Sequence, residues 1–194
     1  METQIKAYYQ TPQGIKFVTI FGYATKGVPS LEINGVGRLS KNIKEKIIFL
    51  TRTRKLKVPL RRFVVCVDLN ELNQQGEQHL KSLEFPILLL YWFLCGLVPI
   101  CKLDDCLASG WLKANGEIYQ MQTPLSFIQS YKKNFDLVEQ KNLKLIGGSQ
   151  GSNLNLCLIE SSLLLEHIEN LKFKTEPNIY IERASAIPLK SFIA

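Results

Sequence analysis

The sequence predicts a mixed α/β (α+β) domain, in which a mixed sheet is packed with helices. Three observations lead there. Runs of β-favourable residues interleave with stretches of helical periodicity, without the strict βαβα rhythm of a doubly wound sheet. Hydrophobic residues make up 46% and charged residues 21% of the 194 positions, which suits a full core and excludes a disordered, collagen-like or coiled-coil chain. Residues 85–101 form an uncharged run of 17 residues bracketed by Pro86 and Pro99. That run reads as a buried core helix of about four turns, because a membrane span needs about 20 apolar residues.

The elements follow in order. Residues 4–10 and 15–25 carry Tyr8, Tyr9, Phe17, Val18, Ile20, Phe21 and Tyr23 around Pro12-Gln13-Gly14, a hairpin pattern. Leu31-Glu32-Ile33-Asn34 alternates as a third strand ended by Gly35 and Gly37. Ser40 is the expected N-cap of a helix to about Arg54, with Ile43, Ile47, Ile48 and Leu50 on its apolar face. Phe63-Val64-Val65-Cys66-Val67 is apolar on both faces and is expected near the middle of a sheet.

Beyond a polar loop at residues 70–78 and the buried helix, residues 107–112 and 117–121 flank Asn115-Gly116 as a second hairpin. Pro124 opens a helix with Leu125, Ile128 and Phe135 on one side. Residues 143–146 and 154–159 read as strands around a loop at 147–152, and Ser161-Ser162 begins a last helix to about Leu171. Residues 1–172 are thus expected to form one domain, and residues 173–194 an extended C-terminal arm.

Charge is concentrated. The formal net charge is +7, yet residues 38–62 alone carry +9, leaving −2 for the rest. This segment is the expected binding surface for nucleic acid or an acidic partner, with Arg52, Arg54, Lys55, Lys57, Arg61 and Arg62 as its candidate contacts. Cations near a helix C-terminus are also favoured by the helix dipole alone. Phe49 and Phe63 read as core, so sequence-specific reading of a single strand is not expected.

Five cysteines, an odd number, and an N-terminus without a basic, apolar leader predict a reducing, cytoplasmic setting. The spacing of Cys95, Cys101 and Cys106 fits no common zinc pattern, and the histidines are His79 and His167, so no metal is expected.

Four motifs follow one another along the chain. They are Gly27-Val28-Pro29-Ser30-Leu31-Glu32-Ile33-Asn34-Gly35, Pro59-Leu60-Arg61-Arg62 before residues 63–67, Leu83-Glu84-Phe85-Pro86-Ile87, and Gly110-Trp111-Leu112-Lys113-Ala114-Asn115-Gly116. This ordered set resembles the N-terminal domain of the magnesium-chelatase-like AAA+ proteins of the competence type. Ser30 replaces a family glycine, Arg38 an aspartate and Cys66 an asparagine. The resemblance implies the fold of the Lon protease proteolytic domain, shared with a ribosomal small-subunit protein. In such relatives the domain precedes an AAA+ motor implicated in DNA processing during natural transformation. No Gly-x-x-x-x-Gly-Lys-Ser/Thr loop is present, and the loop at 147–152 lacks its lysine, so no nucleotide cofactor is expected.

Lon-type chemistry needs a serine and a lysine base within reach. The resemblance places Ser82 at the serine position but Leu125 at the lysine position, with Lys132 and Lys133 two turns further on. Ser82 is instead expected to cap the following helix. The function expected is therefore that of a divergent, stand-alone, non-enzymatic module in DNA processing or competence. Its expected partners are DNA, or an AAA+ or DNA-processing protein, with no membrane. The alternatives are a Lon-fold serine hydrolase with a relocated lysine, and a scaffold docking through residues 175–194.

Overall fold

The computed structural model describes residues 1–68, 77–121, 126–147 and 157–176. A long antiparallel hairpin, β1 (Glu2–Thr11) and β2 (Gly14–Thr25), opens the chain, with Thr11 opposite Gly14 across the turn. β3 (Ser30–Asn34), α1 (Leu39–Thr53) and β4 (Arg62–Val67) follow. After α2 (Glu77–Leu80) and a 3-10 turn over Lys81–Leu83 comes α3 (Glu84–Leu94). Three short strands come next: β5 (Cys106–Ala108), β6 (Gly110–Leu112) and β7 (Glu117–Met121). The remaining elements are α4 (Ser126–Asn134), α5 (Leu137–Asn142), β8 (Lys144–Gly147), β9 (Cys157–Glu160), α6 (Ser161–Leu164) and β10 (Lys172–Glu176). They build a seven-stranded mixed sheet, β3-β4-β2-β1-β5-β8-β9, and a three-stranded sheet, β10-β7-β6. The class is mixed α/β, as the pattern of the sequence predicts.

The alternation of β1 and β2 divides the interior into two cores. Ile5, Ala7, Tyr9, Val18 and Ile20 join a cluster around α3. Tyr8, Ile15 and Phe17 point to the opposite face, where Phe127 and Tyr131 of α4 and Phe135 just after it meet them. Every residue of α3 is buried, because β1, β2 and β4 cover one side of it and β6 another. A helix apolar all round can be stable in water only in such a central position. β4 is interior, between β3 and β2, and its Phe63, Val64, Val65 and Val67 are all buried.

Several boundaries differ from the sequence expectation. Ser40 does not cap α1: the N-cap is Arg38 without a side-chain bond, and the Leu39 and Ser40 N–H groups donate to the Val36 and Gly37 carbonyls. A preceding backbone turn thus satisfies donors that a serine cap would otherwise serve. The buried helix stops at Leu94, well before Pro99, because Gly96 takes a left-handed φ of 74°. Its N–H donates to the Phe93 carbonyl and that of Leu97 to the Trp92 carbonyl, the double closure of a Schellman motif.

The run at 107–112 is split between the two sheets at Ser109. Gly110 has a φ of +155°, and a Cβ there would lie 2.4 Å from the Tyr119 carbonyl oxygen, so glycine alone fits where the chain changes sheets. Asp136 caps a separate helix, α5, accepting a bond from the Glu139 N–H at 2.7 Å. The helix expected to reach Leu171 ends at Leu164, after which two turns carry Leu165 and Ile168 into the core.

The chain beyond Lys172 begins as β10, parallel to β7 on the side that β6 leaves open. The loop at 69–76, Pro124 and Leu125, the side chain of Ile128, the loop and strand start at 148–156, and residues 177–194 lie outside the described residues.

Candidate nucleic-acid interface

The segment at 38–62 reaches the surface through the outer side of α1 and the chain that leaves it. Ile43, Ile47, Leu50 and Thr51 bury the inner face. Thr51 accepts a bond from the Trp92 indole N–H at 3.0 Å and donates to the Ile47 carbonyl at 2.7 Å, fixing α1 to α3. Lys46 is drawn inward: its ammonium contacts both Glu84 oxygens, at 2.7 and 2.9 Å, and Glu84 also accepts the Leu112 N–H at 2.9 Å. One buried carboxylate therefore ties α1, α3 and β6 together.

The six cations singled out by the sequence divide into two groups. Arg54 donates from one Nη to the Asn115 and Asn170 carbonyls, at 3.1 and 3.2 Å, and so clasps the exit of α1 to the β6–β7 turn and to the approach to β10. Arg62 grips Glu32 of the neighbouring strand through two bonds of 2.8 Å. The hydrogen bond from Arg62 holds the Glu32 carboxyl below its ordinary value, although burial acts the other way. Arg52, Lys55, Lys57 and Arg61 are exposed. They occupy the last turn of α1 and the nine residues that follow Arg52, so four exposed cations fall within ten consecutive positions.

The exit of α1 repeats the Schellman geometry with an unusual residue in it. The N–H groups of Lys55 and Leu56 donate to the Arg52 and Thr51 carbonyls, and Lys55 has a φ of +52°. Glycine is the usual occupant of such a position. A lysine there projects from the end of the helix next to the last carbonyls, where its charge is favourably placed.

Phe49 is a correction to the sequence reading. It is not core: 52% of it is exposed, one turn before Arg52 on the same side of α1. An aromatic ring thus lies on the surface one turn from Arg52. The apolar stripe at 43, 47 and 50 leaves position 49 facing outward, a consequence of helical spacing legible in the sequence.

Ser82 is buried in the 3-10 turn before α3, and its hydroxyl donates to the His79 carbonyl at 3.0 Å. It does not cap α3, whose N-cap is Leu83 without a side-chain bond. Among the described residues, no lysine is hydrogen-bonded to Ser82. Lys132 and Lys133 are exposed on α4, on the far side of the large sheet, and Leu125 lies outside the described residues.

A second surface escaped the sequence reading. On the outer face of the three-stranded sheet, Trp111 and Tyr119 stand opposite each other across β6 and β7, with ring centroids 5.5 Å apart and planes 8° from parallel. The ammonium groups of Lys113 and Lys174 lie 4.5 and 5.5 Å from the Tyr119 ring centroid. Tyr119 donates to Glu117 at 3.0 Å and accepts from Lys113 at 2.8 Å, while Lys174 meets Glu117 at 2.6 Å. The Lys174 and Tyr119 bonds pull the Glu117 carboxyl down to about 2. The Asn115-Gly116 pair did not reveal this: a two-residue turn there would set Trp111 against Gln120, whereas the hairpin closes at Lys113 and Glu117 around three residues, which brings Trp111 opposite Tyr119.

Among the described residues no group of three or more His, Cys, Asp and Glu side chains is arranged to hold a metal ion, and no helix is long and apolar enough to cross a membrane. Fold and surface together define a mixed α/β module that presents a local cationic face. Comparison with protein-family models and with curated proteins finds no match.

Proposed function

We propose that the protein is a non-enzymatic nucleic-acid-binding module of the cytoplasm, acting in DNA processing of the competence type beside an AAA+ or DNA-processing partner. The observation that carries this reading is the run of four exposed cations, Arg52, Lys55, Lys57 and Arg61, at the end of α1 and in the chain that leaves it, with the exposed Phe49 one turn before Arg52. Arg54 and Arg62 hold the fold instead. Affinity for nucleic acid comes mainly from cations that neutralise phosphates and release counterions. The four clustered charges supply that, and the ordered motifs shared with magnesium-chelatase-like domains suggest the setting. The arrangement at Ser82 favours no hydrolytic reading, because its proton is engaged by a backbone carbonyl and a serine without a base is inert.

Binding to labelled oligonucleotides over a salt series tests this. The wild-type protein should bind at low salt with a log–log slope of about −3 to −4, the value for roughly four phosphate contacts. Changing Arg52, Lys55, Lys57 and Arg61 together to Glu should abolish binding while leaving the circular dichroism spectrum intact. Absence of binding at low salt, or an unaffected quadruple variant, would reject the proposal. Arg54 is kept in the test protein because its loss would undo the clasp at Asn115 and Asn170.

A further inference from the structure

The outer face of the small sheet bears an aromatic pair that belongs to neither of the two core clusters. The inner face, with Leu112, Ile118 and Phe173, supplies the contacts to the main core. Trp111 and Tyr119 point the other way, as strand alternation requires. Tyr119 is covered by Lys113 and Lys174, but Trp111 is only half-buried. Among the described residues β6 is the edge strand of its sheet, so no described strand places a cross-strand neighbour beside the indole on the side away from Tyr119. The rings are already stacked in parallel, so another flat ring on the outer side of the indole would extend the stack at the sheet edge.

The charges around this plane are cationic. Among the described side chains of this face, Lys113, Lys172 and Lys174 accompany one acid, Glu117, which two of the lysines already neutralise; β10 then runs on to Glu176, opposite Met121 in register. The surface also continues into the basic exit of α1. Arg54 bonds to the carbonyls of Asn115 in the β6–β7 turn and of Asn170 just before β10, and the Lys172 N–H donates to the Gly116 carbonyl at 3.3 Å. The basic exit of α1, with Arg52 just before Arg54 and Lys55 just after it, thus begins where Arg54 meets the end of the sheet that carries Lys113 and Lys172.

We propose that single-stranded nucleic acid binds here, its phosphates along the basic exit of α1 and the sheet lysines, with one unpaired base stacked on the free face of Trp111. This rests on the reading that the protein binds nucleic acid, and adds which form it takes and where a base sits. A duplex keeps its bases stacked inside and offers the indole no face. A single strand does, and stacking on an aromatic side chain tolerates any base.

The two tryptophans make the test direct. Trp92 is fully buried in α3, so quenching of intrinsic fluorescence by added oligonucleotide reports Trp111. The probes are oligo(dT) and oligo(rU) of about 12 nucleotides, within the span one small domain covers, and a duplex of the same length. Either single strand should quench the fluorescence and bind more tightly than the duplex; which of the two binds better identifies DNA or RNA as the preferred source. Trp111→Ala should weaken single-strand binding about tenfold or more and leave duplex binding unchanged. Trp111→Phe, which keeps a ring and guards against a folding defect, should retain most of the affinity and lose the quenching. Binding that equally favours duplex, leaves Trp111 unquenched and ignores Trp111→Ala overturns this proposal while sparing the nucleic-acid reading. No binding of any probe at low salt overturns both.

Discussion

Lys55 shows how one residue records a compromise between backbone and surface. Two helices end in the same double-bonded closure: α3 with Gly96 in the left-handed position, and α1 with Lys55. A side chain in that conformation costs roughly 1 kcal/mol or somewhat more relative to glycine. Lys55→Gly is therefore expected to stabilise the protein by about 1 kcal/mol, a rise in melting temperature of about 2–4 °C for a chain of this size. The same change should weaken binding to oligonucleotides. A variant that melts at or below the wild-type temperature would show that the lysine is not strained. A stop at Gly96 was signalled by a glycine after an apolar run, the usual end of a helix, although the expected helix ran on to Pro99. The stop at Lys55 was not, because no propensity marks a lysine for that backbone.

At the scale of elements, α3 is held by burial and oriented by one charge. Its eleven residues are all buried, including Glu84 at the start. The carboxylate accepts from Lys46 and from the Leu112 N–H, so it joins three elements at a point where β6 has only just left the large sheet. Breaking a buried ion pair on one side leaves an uncompensated polar group. Glu84→Ala is expected to destabilise by about 3 kcal/mol, measured by chemical denaturation. The double change Lys46→Met with Glu84→Gln removes both charges and keeps an acceptor for Leu112. It should recover to within about 1 kcal/mol of wild type. A double variant as unstable as the single one would mean that the charge itself is required. The hydrophobic run announced α3 plainly. That Glu84 would be drawn inside with it depended on Lys46, 38 residues away.

At the scale of the molecule, both cores disfavour ionisation at alkaline pH, and burial raises Tyr131 of the second core to about 12. The main core between the sheets contains Tyr91, Cys95 and Cys106, whose ionised forms burial disfavours. Burial pushes both thiols up to about 12 from an ordinary 9.0. Groups raised in the folded state contribute stability that is fully present below their unfolded pKa and is lost as pH rises toward the folded value. Stability should therefore hold to about pH 9 and fall steadily toward pH 12, as urea midpoints at a series of pH values would show. The protein carrying Cys95→Ala and Cys106→Ala should decline less steeply. An identical slope would place the alkaline loss elsewhere.

The charge pattern also takes its meaning at this scale. A segment of +9 was legible as a candidate site, but not that Arg54 and Arg62 serve the fold while Phe49 stays outside. Those assignments arise from the Asn115 and Asn170 carbonyls and from Glu32, groups distant along the chain. The platform of Trp111 and Tyr119 is built likewise, from a local hairpin that β10 completes from more than fifty residues downstream.

Class, the opening hairpin, the buried helix and the basic segment all followed from local pattern. Alternation, helical spacing and turn residues act through neighbours along the chain, and burial of an apolar run has few solutions in water. The division of one strand run between two sheets, the pairing of β10 with β7 and the separation of fold-holding from exposed cations were decided only by tertiary contacts. Each required a group far along the chain to offer a carbonyl, a carboxylate or an open strand edge, and no local periodicity encodes that.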